Sequence, residues 1–405
     1  MTKQNEKDAK RVPELRFKGF TDDWEQRKLG EIATIVGGGT PSTKNPEYWD
    51  GDINWYSPAE IGNQIYTEKS ERQITELGLK KSSAKLLPVG TVLFTSRAGI
   101  GKTAILNKEA CTNQGFQSII PRSKMLNSYF LFSRTNSLKQ YGETMGSGST
   151  FVEVSGKQMS KMPLFIPNIN EQSKIAKLFQ SLDKTITLHE EKHRQLERLK
   201  KALLQKMFAD KTGYLALRFK GFTEKWEQEK LGNIIRQSSL KNNNYNYPIL
   251  TSAHEGLVPQ STHFGSQQRH DTSDYNVIKP NQITYRNRSD DGRFTFNINK
   301  LNITGLVSKF YPVFSFENTD NDFMVNNLNH NPQIKYDLDV LSVGTGQHVL
   351  SFTNLKKYEI LAPSYVEQKR IGQFLLQLNR TITLHDKKIQ YLKQLKRGLL
   401  QKMFV

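Results

Sequence analysis

The sequence predicts an α+β protein in which two mixed α/β domains are separated by two long antiparallel α-helices. These helices would form a coiled-coil spacer, and the whole would carry an internal pseudo-two-fold repeat. Three observations lead to this prediction: an early segment recurs about 200 residues later, a helical segment recurs at a similar offset, and the stretches between the copies differ. Two copies of so long a period indicate an internal two-fold, because a solenoid needs at least three short stacked units.

The first repeated segment precedes each of the two dissimilar stretches. Residues 15–32 read LRFKGFTDDWEQRKLGEI and residues 217–234 read LRFKGFTEKWEQEKLGNI. The shared aromatic residues predict a shared role, and large aromatic side chains often anchor protein interfaces. We therefore expect a docking surface for two copies of one partner at Phe20, Trp24, Phe222 and Trp226. The alternative, compatible with the first, is that each segment closes its own domain onto the helices.

The second repeated segment predicts a pair of long helices. Residues 171–208 and 367–404 align without a gap and share the strings TITLH and LLQKMF. Their apolar residues recur in steps of three and four, as the contact stripe of a helix requires. The stripe residues are Ile175, Leu178, Leu182, Leu196, Leu199 and Leu203 in the first copy, and Ile371, Phe374, Leu378, Leu392, Leu395 and Leu399 in the second. A helix of 38 residues would be about 57 Å long, which favours pairing with its twin.

Polar residues occupy the middle of each stripe. They are Thr185, His189 and Lys192 in the first helix and Thr381, His385 and Lys388 in the second. Antiparallel pairing would bring His189 beside His385, and a polar layer there could fix the register at some cost in stability. The alternative is that each helix packs on its own domain and leaves the histidines exposed.

These repeats predict the domain boundaries. We expect a disordered lead-in at 1–14, a first domain with its repeat segment at 15–162, a central helix at 163–210, a second domain with its repeat segment at 211–358 and a C-terminal helix at 359–405.

The composition favours a polyanionic partner. A formal net charge of +19 and a hydrophobic content of 36% describe a basic globular chain, for which nucleic acid is the leading partner. The alternative is that the charge serves solubility or an acidic protein. The single cysteine, Cys111, excludes a disulfide framework and cysteine-based zinc sites, and it fits the cytoplasm. The charged first residues and the lack of a long apolar run predict neither a signal peptide nor a membrane span.

The arrangement resembles the specificity subunit of type I restriction-modification systems. The repeated segments frame two inserts, at about 35–162 and 235–358. The first insert is similar to that family's target-recognition domains in three strings: GGGTPSTKNPEYWDGDINWYSPAEIG from Gly37, LFTSRAGIGKTAI from Leu93 and TNQGFQSI from Thr112. The second insert lacks the GGTPS opening. The resemblance implies that each target-recognition domain reads one half of a split double-stranded DNA site, with the helices as spacer. It also implies two bound modification (methyltransferase) subunits carrying S-adenosylmethionine, and restriction subunits that use ATP and Mg for translocation and cleavage. The chain itself would hold no cofactor.

DNA reading requires cations for phosphates and hydrogen-bonding side chains for base edges. Arg and Lys suit guanine, and Asn and Gln suit adenine. The candidate DNA-binding residues of the first insert are Thr40, Ser42, Lys44, Arg97, Lys102, Asn113, Gln114, Ser149 and Thr150. Those of the second are Ser252, His254, Arg286, Asn287, Arg288, Gln347 and His348. For any single one of them the alternative is an ordinary turn or solvated side chain.

Motifs of catalysis are absent from the sequence. The string Gly99–Thr103 resembles the end of a Walker A loop, but Ser96 stands where that motif needs glycine. The acidic clusters at 290–291 and 320–322 are expected to be loop or capping residues, and His189 and His193 have no evident third partner for a metal.

We therefore expect a non-catalytic DNA-recognition subunit with an asymmetric target. Two rival classes remain: a scaffold that binds DNA without sequence preference, and a bifunctional endonuclease or methylase fragment.

Overall fold

The protein, seen in a computed structural model, divides into two compact units. The structure describes residues 12–97, 99–146, 153–209, 212–243, 246–253, 256–265, 271–344 and 346–405. The first unit contains the chain as far as Leu188 together with Lys388–Val405, and the second contains His189–Lys387. This division differs from the predicted boundaries, because each long helix contributes one half to each unit instead of forming a domain of its own. Of the predicted lead-in, residues 1–11 lie outside the described residues, and Pro13 is buried.

The first unit contains the strands before the first long helix. They are β1 (Glu25–Lys28), β2 (Ala33–Gly37), β3 (Trp49–Tyr56), β4 (Arg72–Ile74), β5 (Val92–Phe94), β6 (Thr103–Ile105), β7 (Ala110–Thr112), β8 (Gln117–Pro121) and β9 (Pro163–Ile166). A four-stranded sheet has the order β2-β8-β5-β6, a three-stranded sheet has the order β4-β3-β7, and β1 pairs with β9. The β3–β7 pair is parallel, so this sheet is mixed.

The helices of the first unit are short, apart from the last. They are α1 (Leu29–Ile32), α2 (Glu76–Lys80), α3 (Ser128–Ser133), α4 (Thr135–Gly146), α5 (Gly156–Ser160) and the beginning of α6 (Ile169–Lys206), with 3-10 turns at Pro46–Tyr48 and Pro58–Glu60. Asn127 caps α3 because its side-chain oxygen accepts hydrogen bonds from the backbone N–H groups of Tyr129 and Phe130. Ser155 caps α5 in a capping box with Gln158.

The second unit has the same kind of architecture in more and shorter pieces. Its strands are β10 (Glu227–Lys230), β11 (Ile235–Ser238), β12 (Leu250–Ala253), β13 (Gly256–Pro259), β14 (Asn276–Ile278), β15 (Ile283–Tyr285), β16 (Arg288–Ser289), β17 (Phe296–Ile298), β18 (Gly305–Val307), β19 (Val313–Phe316), β20 (His348–Val349) and β21 (Glu359–Ala362). A four-stranded sheet has the order β11-β19-β15-β17, and the pairs β10-β21, β12-β13, β14-β18 and β16-β20 complete the pairing. The mixed α/β character predicted for both domains is confirmed.

The helices of the second unit end in another long one. They are α7 (Leu231–Ile234), α8 (Gln260–Phe264), α9 (Asn321–His330), α10 (Pro332–Leu341), α11 (Phe352–Leu355) and α12 (Tyr365–Lys402), of which α12 ends in the first unit. Asp320 caps α9 by accepting a hydrogen bond from the backbone N–H of Phe323 at 2.8 Å. The predicted capping role of the acidic cluster at 320–322 is therefore confirmed for Asp320.

The repeated segments make the same buried ion pair in each unit. The guanidinium of Arg16 donates to both carboxylate oxygens of Glu171, at 2.7 and 2.8 Å. Arg218 does the same to Glu367, at 2.7 and 2.6 Å. Both carboxylates are fully buried, and such fork-to-fork geometry is the strongest form of this ion pair. The pair ties each early segment to the first turns of the long helix that belongs to the same unit.

Trp24 and Trp226 are core residues, which corrects the expectation that they anchor a partner. Only 1% of Trp24 and 2% of Trp226 is exposed. Trp24 packs against Phe130, with ring centres 5.9 Å apart, and Trp226 packs against Phe323 at 5.4 Å. The alternative, that each segment closes its own domain, describes both indoles. Phe20 and Phe222 remain half-buried, so the docking prediction rests on them alone.

Antiparallel packing of the two long helices is confirmed inside each unit. In the first unit, Phe179 packs against Phe404 with ring centres 5.9 Å apart. Nζ of Lys396 donates a hydrogen bond to the carboxylate of Asp183 at 2.6 Å. The sequence number thus rises along α6 as it falls along α12. In the second unit, Leu204 of α6 shares a buried cluster with Ile371 of α12, and His189 of α6 contacts His385 of α12. Here too the sequence number rises along one helix as it falls along the other.

The predicted meeting of His189 and His385 is confirmed. Their Nδ1 atoms are 2.9 Å apart, and their ring centres are 5.0 Å apart. The other residues of the predicted polar layer do not join them. Thr185 and Thr381 each donate a hydroxyl to the carbonyl one turn earlier on their own helix, and Lys192 and Lys388 are exposed. The polar layer is narrower than predicted, because a threonine in a helix can satisfy its hydroxyl locally.

Candidate nucleic-acid interface

In the first unit, the loop after β2 packs directly against the loop after β7. The backbone N–H of Gly39 donates to the carbonyl of Thr112 at 2.8 Å. A Cβ on Gly38 would lie 1.9 Å from the carbonyl oxygen of Asn113, so only glycine fits at this close approach. This contact places Thr40 beside Gln114. Oε1 of Gln114 accepts a hydrogen bond from the Thr40 hydroxyl at 2.5 Å.

The same loop reaches Arg97 through two hydrogen bonds in series. The side chain of Asn113 accepts the N–H of Gly115 at 2.8 Å, and the carbonyl of Gly115 accepts the N–H of Ser96 at 2.8 Å. Arg97, the next residue, is exposed, as is Gln114. The structure therefore gathers a cation and amide side chains at one rim. We call Thr40, Arg97, Asn113 and Gln114 the first reading cluster.

Lys102 does not belong to the first reading cluster. Its backbone N–H donates to the Thr95 hydroxyl at 2.9 Å, and its side chain packs on Gly62. The chain there lines a cavity of about 420 Å³ together with Asp183 and Lys396. The prediction named both Lys102 and Arg97 as DNA-binding candidates, and only the structure shows that the Lys102 side chain packs on Gly62.

Ser42 lies beside a tryptophan on which an arginine stacks. The carbonyl of Ser42 accepts the indole N–H of Trp49 at 3.1 Å. The guanidinium of Arg72 lies 3.5 Å from the centre of the Trp49 ring. Sequence reasoning missed Arg72, because only the pairing of β3 with β4 brings it to the indole. Lys44 is exposed, so both cations are open to solvent or to a ligand.

In the second unit, the pairing of β16 with β20 unites two separate predicted segments. Arg288 faces Val349 and Ser289 faces His348 across this ladder. The carbonyl of Asn287 accepts the N–H of Leu350 at 2.9 Å. We call the predicted residues of these two segments the second reading cluster; they are Arg286, Asn287, Arg288, Gln347 and His348.

Two members of the second reading cluster have defined side-chain partners. Nδ1 of His348 is 2.8 Å from Oδ1 of Asp339 on α10. The guanidinium of Arg288 lies 4.6 Å from the ring centre of Phe310, a cation–π contact that orients the guanidinium plane. Arg286 and Gln347 are exposed. The cluster thus presents two exposed arginines and an amide beside the β16–β20 ladder.

Ser252 bonds to Asn297 and not to a member of the second reading cluster. Its hydroxyl and the carbonyl of Ala253 both accept hydrogen bonds from the side-chain amide of Asn297, at 2.8 Å each. Its partner is therefore inside the fold. Ser149, Thr150 and His254 lie outside the described residues.

Charged groups next to the second reading cluster have shifted pKa values. The Ser289 hydroxyl, followed by the backbone of Arg293, lowers the pKa of Asp291. Burial, followed by the charge of Arg293, lowers the pKa of Lys335 on α10. Lys335 and Arg293 thus repel each other, and an anion placed near them would relieve this repulsion.

A family model describes both units. The model of the type I restriction modification DNA specificity domain matches residues 21–198 and again residues 222–394. The chain belongs to this family. Each match covers one recognition domain and most of the long helix that follows it, so the internal repeat is a repeat of the specificity domain.

Individual specificity-domain proteins resemble parts of the chain. The type I restriction enzyme MjaIX specificity subunit of Methanocaldococcus jannaschii is 36% identical over 54% of this chain and 53% of its own length. A type I restriction enzyme specificity subunit of Escherichia coli is 30% identical over 42% of this chain and 43% of its own length. The matches therefore span about half the length of these curated relatives or less.

A solved structure resembles the fold of the specificity-domain chain over nearly its whole length. It is the S subunit of a type I restriction-modification system from M. genitalium. The TM-score is 0.59 at 13% identity, with 97% of this chain and 99% of the other covered. The likeness supports the fold.

In the specificity-domain chain, the Walker-like string leads into a strand and not into a helix. Residues 99–101 form a turn in which Gly99 and Gly101 have φ values of +105° and +97°, and Thr103 begins strand β6. A P-loop would lead into a helix whose N-terminus binds phosphate. Among the described residues, there is no group of three or more His, Cys, Asp or Glu side chains able to hold a metal. Every helix in the described part of the chain is too short or too polar to cross a membrane.

Cys111 is completely buried in β7. Burial, with a smaller effect from Glu76, raises the pKa of its thiol to about 12. The thiol is therefore held in its unreactive protonated form.

Proposed function

We propose that this chain is the sequence-specific DNA-binding specificity subunit of a type I restriction-modification complex. Each recognition domain reads one half of a bipartite, asymmetric site in double-stranded DNA. The first reading cluster serves one half-site, and the second reading cluster serves the other. Exposed arginines suit guanine edges or phosphates, and amide side chains suit adenine.

The observation that carries this proposal is the double match of the specificity domain. The family model matches once per unit, while the residues of the two reading clusters differ. A repeated scaffold with unlike readers is what an asymmetric two-part target requires. The net charge of +19 supplies the attraction to phosphates.

We further propose that catalysis belongs to partner subunits. Two modification subunits would bind the repeated helices and segments, carry S-adenosylmethionine and methylate adenine. Restriction subunits would add ATP- and Mg-dependent translocation and cleavage. The chain itself would bind no cofactor and would act in the cytoplasm, with α6 and α12 setting the spacer between the half-sites.

The test is methylation mapping on genomic DNA from a methylation-free host that expresses this chain with its candidate modification subunit. We expect a split motif of two unlike halves that disappears when this chain is omitted. A stable complex that leaves no motif would support the scaffold alternative, which predicts steep salt dependence of DNA binding without preference among sequences. Methylation or cleavage by the purified chain alone would support the bifunctional alternative.

A further inference from the structure

Helix α10 carries an exposed row of apolar side chains. Ile334 and Leu338 on one face are buried, whereas Tyr336 and Val340 on the other are 65% and 66% exposed. Val343, just beyond the helix, is 66% exposed as well. The spacing of four places Tyr336 and Val340 on one face of the helix, and Val343 follows the extended C-cap residue Ser342. Single exposed apolar residues are ordinary, but a contiguous row of large ones marks an interaction surface.

This apolar row borders the second reading cluster. Asp339, on the same helix, contacts His348 at 2.8 Å. A Cβ on Gly292 would lie 2.1 Å from the carboxylate of Asp339, so the turn that follows Arg288 packs on α10. Val343 pairs with Val349 through two backbone hydrogen bonds of 3.0 and 2.9 Å. The row is therefore continuous with the proposed DNA-reading surface.

Charged residues of both signs flank the row. Arg293 and Lys335 are close enough for the arginine to lower the pKa of the lysine, and Arg286 and Arg288 are exposed nearby. Acidic residues share this border, since Asp337 and Asp339 lie on α10 and Asp291 pairs with Arg293 at 3.7 Å, so charge alone does not select the occupant. A partner protein bound in two copies would need the same exposed face in both units, whereas two unlike DNA half-sites need different ones.

The first unit has the same helix with a different exposed face. Positions 138 and 142 of α4 correspond to 334 and 338 of α10 at the offset of 196 that relates Glu171 to Glu367. Leu138 and Gly142 are buried, as Ile334 and Leu338 are. Where α10 exposes Tyr336 and Val340, α4 exposes Gln140 and Thr144.

The helices that precede α4 and α10 are held to the long helices in the same way. Gln172 accepts a hydrogen bond from the N–H of Asn127, the cap of α3, at 3.0 Å. Gln368 accepts one from the N–H of Asp320, the cap of α9, also at 3.0 Å. In each unit the helix in question follows directly after this capped helix. The helices thus have one scaffold role, whereas their exposed residues differ between the units.

Resting on the proposed function, we infer that α10 is a base-reading helix of the second domain. Tyr336, Val340 and Val343 contact the C5-methyl groups of thymines in the major groove of the second half-site. The major groove admits an α-helix, and apolar contact with the thymine methyl is one of its direct recognition modes. In the first domain, Gln140 and Thr144 present hydrogen-bonding groups to the first half-site instead.

The test removes single methyl groups from the DNA. After the methylation map has identified the half-sites, the affinity of the complex with its modification subunit is measured on duplexes with uracil in place of each thymine. Wild type should lose roughly three- to tenfold in affinity at one or more thymines of the second half-site, and none at the first. In Val340→Thr and Val343→Thr this loss should shrink or vanish. The matched control is Val89→Thr, which changes a similarly exposed valine of the first unit and should keep the wild-type response.

Several outcomes would overturn the inference. A second half-site without an A·T pair excludes it at once, and uracil that is neutral throughout the second half-site does the same. If Val340→Thr and Val343→Thr lower the number of bound modification subunits but leave the uracil response unchanged, the occupant is a protein. A wild-type complex without any split motif contradicts the proposed function itself, whereas a split motif with neutral uracil contradicts only the role of α10.

Discussion

Single residues explain why the two early segments are nearly identical. Arg16 and Arg218 each place a guanidinium on a fully buried carboxylate of their own unit. A buried carboxylate without its partner is strongly destabilising, whereas the intact pair is not by itself a large source of stability. The arginine and the glutamate therefore have to be retained together, which accounts for their presence in both copies.

Arg16→Met should destabilise the first unit by about 3–5 kcal/mol, because the buried carboxylate of Glu171 loses its counter-charge. The measurement is denaturant unfolding followed by circular dichroism. Arg27→Met is the matched control, since Arg27 and Glu25 form an exposed pair and its loss should cost at most about 1 kcal/mol. Equal losses in the two variants would show that the buried pair has no special role.

The histidine pair predicts a pH dependence in the second unit. Burial, followed by His189, Lys192 and His193, lowers the pKa of His385 from its ordinary 6.5. The unfolded chain therefore binds a proton at this position more readily than the folded chain does. Stability should be fully present above pH 6.5, and it should fall as the pH drops from there through the folded pKa.

The measurement is unfolding at a series of pH values for wild type and His385→Gln. The variant should lose part of the decline below pH 6.5, because glutamine does not titrate. Thr381→Gln, one turn earlier on the same helix, is the control and should keep the wild-type slope, because it removes no titratable group. A wild-type slope in His385→Gln would contradict the prediction.

At the scale of elements, periodicity predicted the long helices well but their buried faces less well. The helices run over Ile169–Lys206 and Tyr365–Lys402, close to the predicted 171–208 and 367–404. Of the predicted stripe, however, Leu199 is 48% exposed and Leu395 is 38% exposed. Phe179 and Ile186 are buried instead, because each half-helix packs on its own domain as well as on its twin.

Changing the length of both helices tests their proposed role as the spacer. Insertion of seven matched residues, or two turns, into α6 and α12 lengthens each helix by about 10 Å. We expect the spacer between the half-sites to gain base pairs, while the letters of both half-sites stay the same. Methylation mapping is the measurement. An unchanged spacer in a folded, active complex would contradict the proposal.

At the scale of the whole molecule, one scaffold carries two sets of side chains. The two units share their ion pair, their buried tryptophan and their capped helix pair. They differ in their reading clusters and in the exposed face of α4 and α10. Such a division permits the reading of one half-site to change independently of the other.

Replacement of residues 35–162 by the corresponding insert of another family member should therefore alter one half-site only. The other half-site and the spacer should remain, since the second domain and the helices are unchanged. The reciprocal replacement of 235–358 is the control and should alter the opposite half. A change of both halves in either hybrid would show that the domains do not read independently.

The two-fold scaffold also predicts the stoichiometry of the complex. One chain should bind two modification subunits, one for each copy of the repeated segments. Light scattering on the purified complex measures its mass. A mass that corresponds to a single modification subunit would contradict this prediction.

The sequence by itself determined the internal two-fold, the existence and length of the long helices and the meeting of His189 with His385. These features depend on periodic patterns and repeated strings, which are local in the chain. The basic composition and the missing catalytic motifs are equally visible there.

Only the tertiary structure decided which polar residues act together. Strand pairing joins Arg288 to the segment of His348 and places Arg72 on Trp49, and the fold packs Lys102 on Gly62. The burial of Trp24 and Trp226 and the exposure of Tyr336 and Val340 were equally hidden from the sequence. Each of these depends on contacts between residues far apart in the chain, for which no pattern within one segment carries a signal.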